Sequence, residues 1–378
     1  MSERRLRMQA MLGVAAMIVA CSSNENGGGS GNDGGSAGIG GGGGGPSPCD
    51  HVLAADQDLL FGFGAALALD ERNQVFLLRD AGTTRKVQAL ANGALTDVAA
   101  LADEPTVYKG GSNLVVSPDG FFFDATVGGA RGIYVVPRSG GAAALVAPLG
   151  PDSESLAPPF LGDSAYLYKR GLAPSNDSFD RIAQRMGDGG VSTAVVGAGA
   201  FAAASAYAIV SFNDTLFTIS GSAEVRVTAK TPADPDGGVA SAKVGVFNLP
   251  ACSPDLGSTV AVNGDGLFIG CVAADVGRHT IYQVPPPDEW LEASAAPDAS
   301  ATAPATEVVS GNSINTTAFL VDGTNLYYAN EADPALFRMP DSGGAKTKIM
   351  ATHGVKRMVA TSTDIYVLSA CGLQQAPL

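Results

Sequence analysis

The sequence predicts an all-β fold built from repeated four-stranded antiparallel units. Apolar residues make up 46% of the 378 residues and charged residues only 16%, and turn dipeptides are frequent, which suits a protein of short strands. Long amphipathic helices are not evident in the pattern. The third observation is that one strand-and-turn unit recurs along the chain, which is typical of a repeat architecture whose core grows with each copy.

The clearest copy of the unit runs from Phe319 to Met350 and reads FLVDGTNLYYA followed by LFRMPDSGGAKTKIM. Asp322-Gly323 separates the first two apolar strands, and Ser342-Gly343-Gly344 separates the third strand from the fourth. A four-stranded meander of this kind cannot bury both faces by itself. It therefore needs neighbours of the same kind on either side.

The turn between the first and second strands can be followed along the chain. It is marked by positions 73, 119, 163, 214, 265, 322 and 364. Neighbouring markers are about 40 to 60 residues apart, which is the size of one blade. The spacing predicts a seven-bladed β-propeller, with six or eight blades as the alternatives.

The last unit, from Met358 to Leu378, has only three predicted strands. The segment His51 to Ala55, after the N-terminal linker, resembles Thr347 to Thr352 at the fourth-strand position of the preceding unit. We therefore expect an N-terminal strand to complete the last blade, which would close the ring and remove an exposed sheet edge.

The N-terminus is predicted to be an export signal with a lipidation site. Arginines at positions 4, 5 and 7 precede an apolar run over 8–20, which is too short to span a bilayer but has the length of a signal-peptide core. The run ends in Ile18-Val19-Ala20-Cys21, which resembles a bacterial lipobox. The resemblance implies a signal peptide over 1–20, lipidation of Cys21 and, because Ser22 follows, an anchor in the outer membrane. An ordinary signal peptide with an incidental cysteine is the alternative.

Composition divides the remainder into a tether and a folded domain. Residues 21–48 begin with the lipidated cysteine and continue almost entirely as Gly, Ser, Asn and Pro, which have nothing to bury, so they predict a flexible tether. The propeller domain is expected over 49–378, with a disordered insertion at about 286–306. The net charge of −14 repels phosphates, so no nucleic-acid partner is predicted.

The repeats resemble those of a known class of propeller. An Asp-Gly turn, an aromatic strand and a V/M-P-x-S-G-G turn recur, most clearly around Pro137 and Pro340. This pattern is similar to the repeats of secreted bacterial lipoproteins whose blades resemble TolB-like and quinoprotein-like propellers. The resemblance implies the fold and a binding face near the central channel, but no particular activity.

Four cysteines remain once Cys21 is lipidated. They are Cys49, Cys252, Cys271 and Cys371. An even number in an exported domain predicts two disulfides. Cys252 and Cys271 lie at the same end of a predicted hairpin, and a Cys49–Cys371 bond would lock the ring closure. A cysteine-ligated metal is the alternative, but C-x-x-C spacing is missing, so neither a metal nor another cofactor is predicted.

Polar residues in two kinds of loop form the candidate ligand-binding site. The loops join the second strand of a unit to the third, or join one unit to the next, and both kinds emerge on the same face of a propeller. The candidates are Asp275, Arg278, His279, Glu331, Asp333, His353, Lys356 and Arg357. For each of them a solvated loop side chain is the alternative interpretation.

These observations predict a monomeric, membrane-anchored envelope protein that acts as a binding or scaffolding module for a protein or a small ligand. The alternative is a propeller enzyme, such as a lactonase, lyase or hydrolase, that uses carboxylates of this face with a metal or His279. A serine hydrolase is less consistent with the sequence, because no serine of the folded part has the context of a nucleophile elbow.

Overall fold

The computed structural model describes residues 49–54, 65–104, 113–150, 160–162, 166–170, 179–183, 193–196, 206–213, 215–220, 224–229, 245–246, 259–272, 278–284 and 305–378. The predicted all-β class is confirmed: within these ranges, 28 strands form seven four-stranded antiparallel sheets. Among the same residues, none belongs to a helix long and apolar enough to cross a bilayer. The predicted signal peptide, the tether and most of the 286–306 insertion lie outside the described residues.

The strands follow the chain in groups of four after an initial single strand, β1 (Val52–Ala54). Sheet 1 contains β2 (Ala66–Leu69), β3 (Val75–Ala81), β4 (Thr84–Ala91) and β5 (Ala94–Ala102). Sheet 2 contains β6 (Leu114–Val116), β7 (Gly120–Val127), β8 (Ala130–Pro137) and β9 (Ala144–Pro148). Sheet 3 contains β10 (Phe160–Gly162), β11 (Tyr166–Arg170), β12 (Phe179–Ala183) and β13 (Thr193–Val196).

The second half of the chain repeats this arrangement. Sheet 4 contains β14 (Ala206–Phe212), β15 (Thr215–Ser220), β16 (Glu224–Ala229) and β17 (Gly245–Val246). Sheet 5 contains β18 (Thr259–Asn263), β19 (Gly266–Val272), β20 (His279–Val284) and β21 (Thr306–Gly311). Sheet 6 contains β22 (Ile314–Asp322), β23 (Asn325–Asn330), β24 (Ala335–Pro340) and β25 (Thr347–Ala351). Sheet 7 contains β26 (Arg357–Ala360), β27 (Asp364–Ser369), β28 (Gly372–Pro377) and β1.

Strands that are apolar along their whole length are buried on both faces. Successive side chains of a strand point to opposite faces of its sheet. In β7, Phe121 and Phe123 belong to a core shared with sheet 1, whereas Phe122 belongs to a core shared with Phe160 of sheet 3. An unbroken aromatic run therefore marks a sheet that has a neighbour on each side.

The same packing continues from sheet to sheet. Sheets 5 and 6 share one core, sheets 6 and 7 share a second, and sheets 7 and 1 share a third. Between sheets 3, 4 and 5 the first strands β10, β14 and β18 lie next to one another. Each described sheet therefore packs against the sheets before and after it, and sheet 7 packs against sheet 1.

The N-terminal strand pairs with the end of the chain. β1 is antiparallel to β28, with Val52 opposite Gln374 and Ala54 opposite Leu373. This strand begins one residue later than predicted, because His51 adopts a positive φ of 52° and only its carbonyl joins the pairing, by accepting a hydrogen bond from the Gln375 amide at 3.1 Å. A disulfide joins Cys49 to Cys371 in the turn before β28.

Candidate functional site

The antiparallel order gives the molecule two faces. Connections from the second to the third strand, and from the fourth strand to the next sheet, lie at one end of the sheets, which we call the His353 face after the residue between β25 and β26. Connections from the first to the second strand, and from the third to the fourth, lie at the opposite end. We call this the Asp341 face after the residue that follows β24.

Two candidates on the His353 face belong to sheet 5. Arg278 is 47% exposed, and its guanidinium donates to the Glu307 carboxylate at 2.7 Å and to the Ser310 hydroxyl. His279 is the first residue of β20 rather than a loop residue, and its Nδ1 lies 3.2 Å from the Thr316 hydroxyl of sheet 6. Burial lowers the pKa of the His279 imidazole.

Two further candidates lie in the connection between β23 and β24 of sheet 6. The Glu331 carboxylate accepts a hydrogen bond from the backbone N–H of Gly354, at 3.1 and 3.2 Å from its two oxygens. Asp333 is 57% exposed and lies 3.4 Å from the Lys348 ammonium. Glu331 therefore fastens this connection to the one that follows β25, whereas Asp333 forms an exposed ion pair.

The other three candidates lie in or directly after the connection from sheet 6 to sheet 7. The Nδ1 atom of His353 lies 3.5 Å from the sulfur of Cys371. The half-buried Lys356 has an ammonium pKa lowered first by burial and then by the positive charge of Arg357. The prediction of Arg357 as a loop residue is wrong, because it is the first residue of β26 and only 5% exposed. Its guanidinium donates to the carbonyl of Lys356 at 3.3 Å.

Other sequence predictions fall outside the described residues. These are Cys21, Cys252 and Asp275. Cys271 is itself disulfide-bonded, and since Cys49 and Cys371 pair with each other, its partner also lies outside. The Cys252–Cys271 pairing therefore stays a prediction.

The structure also places a groove between sheets 5 and 6, which sequence reasoning missed. It encloses about 320 Å³ and is lined by the β21 segment Val308–Gly311, the turn residues Asn312 and Ser313, and side chains that include Tyr328, Met339 and Lys346. Ser310 belongs to this lining and also bonds Arg278. The exposed Arg278–Glu307 pair therefore lies at the rim of the groove.

A buried charge network joins sheets 1 and 2 on the His353 face, and it was also missed. The Arg85 guanidinium is fully buried and lies 2.9 Å from Asp80, 3.3 Å from Asp103 and 3.2 Å from Asp124. Arg131 reaches the second carboxylate oxygen of Asp124 at 2.7 Å. Asp124 interrupts the apolar residues of β7, and such a charge inside a buried strand was the available signal, because buried charges require partners.

A second cavity, of about 530 Å³, lies on the Asp341 face and is lined by Asp265, Gln283, Thr324, Asn325, Pro340, Asp341 and Ser342. Asp341 is 4% exposed, and its carboxylate accepts a hydrogen bond from Asn263 at 2.8 Å. The pKa of the Asp265 carboxyl is raised by lost hydration and then by the charge of Asp341 and a hydrogen bond to it.

Comparison with known proteins shows a likeness in fold. The sequence matches no protein-family model and no curated relative. BamB from Moraxella catarrhalis is 12% identical, with 82% of this chain and 81% of that one covered and a TM-score of 0.48. The extracellular domain of a protein assigned as a hybrid two-component system from B. thetaiotaomicron is 10% identical, with coverage of 82% and 37% and a TM-score of 0.51.

A third similar structure, a Bacteroides uniformis protein assigned as a 6-phosphogluconolactonase, is 14% identical, with coverage of 75% and 82% and a TM-score of 0.46. At these identities the likeness concerns the fold and says nothing about activity. Together with the order of the four-stranded sheets, the match at a TM-score of 0.51 supports a β-propeller fold for this chain.

Proposed function

We propose that the chain is a lipid-anchored envelope protein whose closed, seven-bladed propeller binds a protein or a small ligand in the groove between sheets 5 and 6. Closure is supported by two observations: β1 completes sheet 7, and sheet 7 shares a core with sheet 1. A closed ring leaves no open sheet edge at the junction of the termini, which favours a monomer.

The anchor is proposed from the sequence. Cys21 follows an apolar segment of signal-peptide length and becomes lipidated, and residues 22–48 tether the propeller to the outer membrane. In this proposal the tether joins the propeller at Cys49, and the structure places the disulfide partner Cys371 in a turn of the His353 face. In this proposal the anchor therefore attaches to the propeller on the His353 face.

The groove between sheets 5 and 6 is the observation that carries the binding function. Its lining combines the apolar side chains of Val308 and Met339 with the polar groups of Asn312, Ser313 and Lys346. Binding sites commonly combine an apolar interior with a few polar groups that orient the ligand. An apolar centre with a polar rim is also the usual composition of a protein interface.

The charged side chains around this groove are free to exchange their ion-pair partners for a bound molecule. The Arg278–Glu307 pair has exposures of 47% and 44%, and the Lys348–Asp333 pair has exposures of 51% and 57%. Exposed ion pairs contribute only about 0–1 kcal/mol to stability. These side chains can therefore exchange their present contacts for contacts with a bound molecule at little cost to the fold.

The proposal is tested by site-specific photo-crosslinking of the full-length protein in its native envelope. A photoreactive residue at Asn312, in the groove, is expected to capture a discrete partner or ligand from the membrane fraction. The matched control carries the photoreactive residue at Glu71, which is exposed in the β2–β3 turn on the Asp341 face. The Cys21→Ser variant is expected to move to the soluble fraction and to lose captures that depend on the membrane.

Equal capture from Asn312 and Glu71, or none from either, would contradict binding in the groove. Membrane retention of the Cys21→Ser variant would contradict the anchor. A captured small molecule that the purified protein converts into a product would favour the propeller enzyme instead.

A further inference from the structure

Three residues with metal-binding atoms converge where the N-terminus meets the last sheet. The Cys49 and Cys371 sulfurs and a ring nitrogen of His353 lie within 4.8 Å of one another, and no other group of three or more His, Cys, Asp or Glu residues meets this condition within the described part of the chain. They belong to three separate segments: the one that precedes β1, the β25–β26 connection and the β27–β28 turn. In the present state the two sulfurs form a disulfide.

The backbone around these residues is held independently of the disulfide. The amide of Cys371 donates to the Ser369 hydroxyl at 3.0 Å, and the amide of Ala370 donates to the carbonyl of His353 at 3.0 Å. The His353 and Cys371 segments are therefore fixed against each other by backbone contacts. These contacts do not involve the sulfurs, so we expect the two segments to stay aligned when the disulfide is reduced.

Gln374, which is fully buried, fixes the third segment. Its carboxamide oxygen accepts from Thr352 at 2.6 Å and from Ser369 at 2.7 Å. Its Nε2 donates to the carbonyl of Asp50 at 2.6 Å and to that of Ala351 at 3.0 Å. One side chain thus ties the residue after Cys49 to the residues around His353 and Cys371, so the site is preorganised by the fold.

The contact of the His353 ring with Cys371 contributes little to stability in the disulfide state. Within the described structure its ring contacts the Cys371 sulfur at 3.5 Å, and a sulfur atom is a weak hydrogen-bond acceptor. A thiolate, in contrast, is a strong metal ligand, and imidazole with thiolate is a common ligand set for zinc. The arrangement therefore suits the reduced form of this site better than its oxidised form.

We propose that Cys49, Cys371 and His353 bind Zn²⁺ once the disulfide is reduced. A dithiol reductant transfers two electrons to the S–S bond, which breaks to give two thiols while the reductant becomes a disulfide. Zn²⁺ then replaces the two thiol protons, which pass to solvent, and accepts the lone pair of His353. One metal ion thus replaces one covalent bond across the same three segments.

One of the three ligand distances already matches such a site, whereas the two sulfurs have to move apart after reduction. Zn–S bonds of about 2.3 Å and Zn–N bonds of about 2.0–2.1 Å place a sulfur and a nitrogen about 3.5 Å apart at neighbouring corners of a tetrahedron. The His353–Cys371 separation is already 3.5 Å. Two cysteines and one histidine leave the fourth position for water, as in open three-ligand zinc sites.

In this proposal bound metal keeps the N-terminal segment attached to sheet 7 after the Cys49–Cys371 disulfide is reduced. The described part of β1 contributes three residues to sheet 7, so the attachment at Cys49 adds to a small number of hydrogen bonds that hold this segment. Metal bound between Cys49 and Cys371 keeps that segment in place when the covalent link is lost, because its binding free energy adds to that of folding.

The test is a Co²⁺ titration of the full-length protein, fully reduced under anaerobic conditions, because Co²⁺ bound to thiolates gives a ligand-to-metal charge-transfer band. We expect one Co²⁺ per chain, displaced by Zn²⁺, and no such band for the oxidised protein. His353→Ala should weaken binding by roughly ten-fold or more, and Cys371→Ser should abolish the band. Zn²⁺ should raise the melting temperature of the reduced wild type but not that of reduced His353→Ala.

Two control variants keep the result specific. His279→Ala removes a histidine of the same face outside the site, and Cys271→Ser removes the other described cysteine, so both should bind Co²⁺ like the wild type. Circular dichroism of each variant shows whether it is folded. Absence of the band in the reduced, folded wild type, unchanged affinity in His353→Ala, or loss of binding in Cys271→Ser would overturn the proposal.

Discussion

Two junctions have the same backbone arrangement but differ in their charged contacts. One lies between sheets 1 and 2, and the other lies between sheets 5 and 6. On the His353 face, the first junction contains the buried Arg85 network, with Asp80, Asp103 and Asp124 around one guanidinium. Among the described residues, the second has a neutral contact at this end, between His279 and Thr316. Ion pairs hold the first junction together, whereas close packing holds the second.

The Asp341 face shows the contrast at one equivalent position. Arg138 and Asp341 both follow the proline that ends the third strand of their sheets, in Pro-Arg-Ser-Gly-Gly and Pro-Asp-Ser-Gly-Gly. Arg138 lies over the rings of Phe76 and Phe121 and pairs with Asp70 of sheet 1 at 3.2 Å. Asp341 instead meets Asn263 of sheet 5 and stands beside Asp265.

The difference teaches that the repeat determines where two sheets touch, whereas single side chains determine whether the junction is closed. An arginine at this position covers the core and neutralises a carboxylate. An aspartate at the same position leaves a cavity of about 530 Å³ with two acidic groups. Both cavities described above adjoin sheets 5 and 6, where the described residues include no buried charge network.

The largest effect is expected from a variant that disrupts the first junction. Arg85→Met should lower the free energy of unfolding by about 3–5 kcal/mol, because it leaves the buried carboxylates of Asp103 and Asp124 without their shared counter-charge. Chemical denaturation at neutral pH measures the change. Lys86→Met is the matched control, since the adjacent Lys86 pairs with Asp97 at exposures of 31% and 49% and should cost only about 0–1 kcal/mol. Equal losses in both variants would show that the network does not fasten the junction.

An intermediate effect is expected at the second junction. A Cβ added at Gly270 would overlap the carbonyl oxygen of Thr316 in the neighbouring sheet. Gly270→Ala should therefore destabilise the protein by about 1–3 kcal/mol through overpacking, as measured by thermal or chemical denaturation.

Gly264 is the control for this substitution, because its added Cβ would meet nothing within 4 Å. Gly264→Ala should change stability by less than about 0.5 kcal/mol. A Gly270→Ala variant as stable as the wild type would mean that sheets 5 and 6 are not in close contact there.

The smallest effect is expected at the Asp341 face, on the pKa of Asp265. In the folded protein Asp265 keeps its proton to a higher pH than in the unfolded chain, where its pKa is 3.8. Its contribution to stability is fully present below that value and is lost as the pH rises through the folded pKa. Asp341→Asn removes the neighbouring charge, so the pKa of Asp265 should fall towards 3.8.

Carboxyl-carbon NMR titration follows Asp265 directly. Asp322→Asn is the matched control, because the raised pKa of Asp322 comes from burial alone and its charge should not affect Asp265. An unchanged pKa of Asp265 in the Asp341→Asn variant would contradict the proposed coupling of the two carboxyls.

The sequence by itself determined the secondary structure and the repeat. Strand positions follow from local patterns: the apolar runs, the Asp-Gly and Ser-Gly-Gly turns, and the aromatic triplet Phe121-Phe122-Phe123 are all readable along the chain. The partner of the last sheet could also be predicted, because β1 resembles a fourth strand and the sheet edge would otherwise stay unpaired.

Only the tertiary structure decided which side chains meet across sheets. Arg85 and Asp124 are 39 positions apart, and nothing local relates them, because their contact depends on the angle and separation of two sheets. Arg357 looked like a loop charge but is buried in β26, since one residue of difference in where a strand begins decides between solvent and core. The meeting of Cys49, His353 and Cys371 likewise arises from the pairing of β1 with β28, which brings the two ends of the domain together.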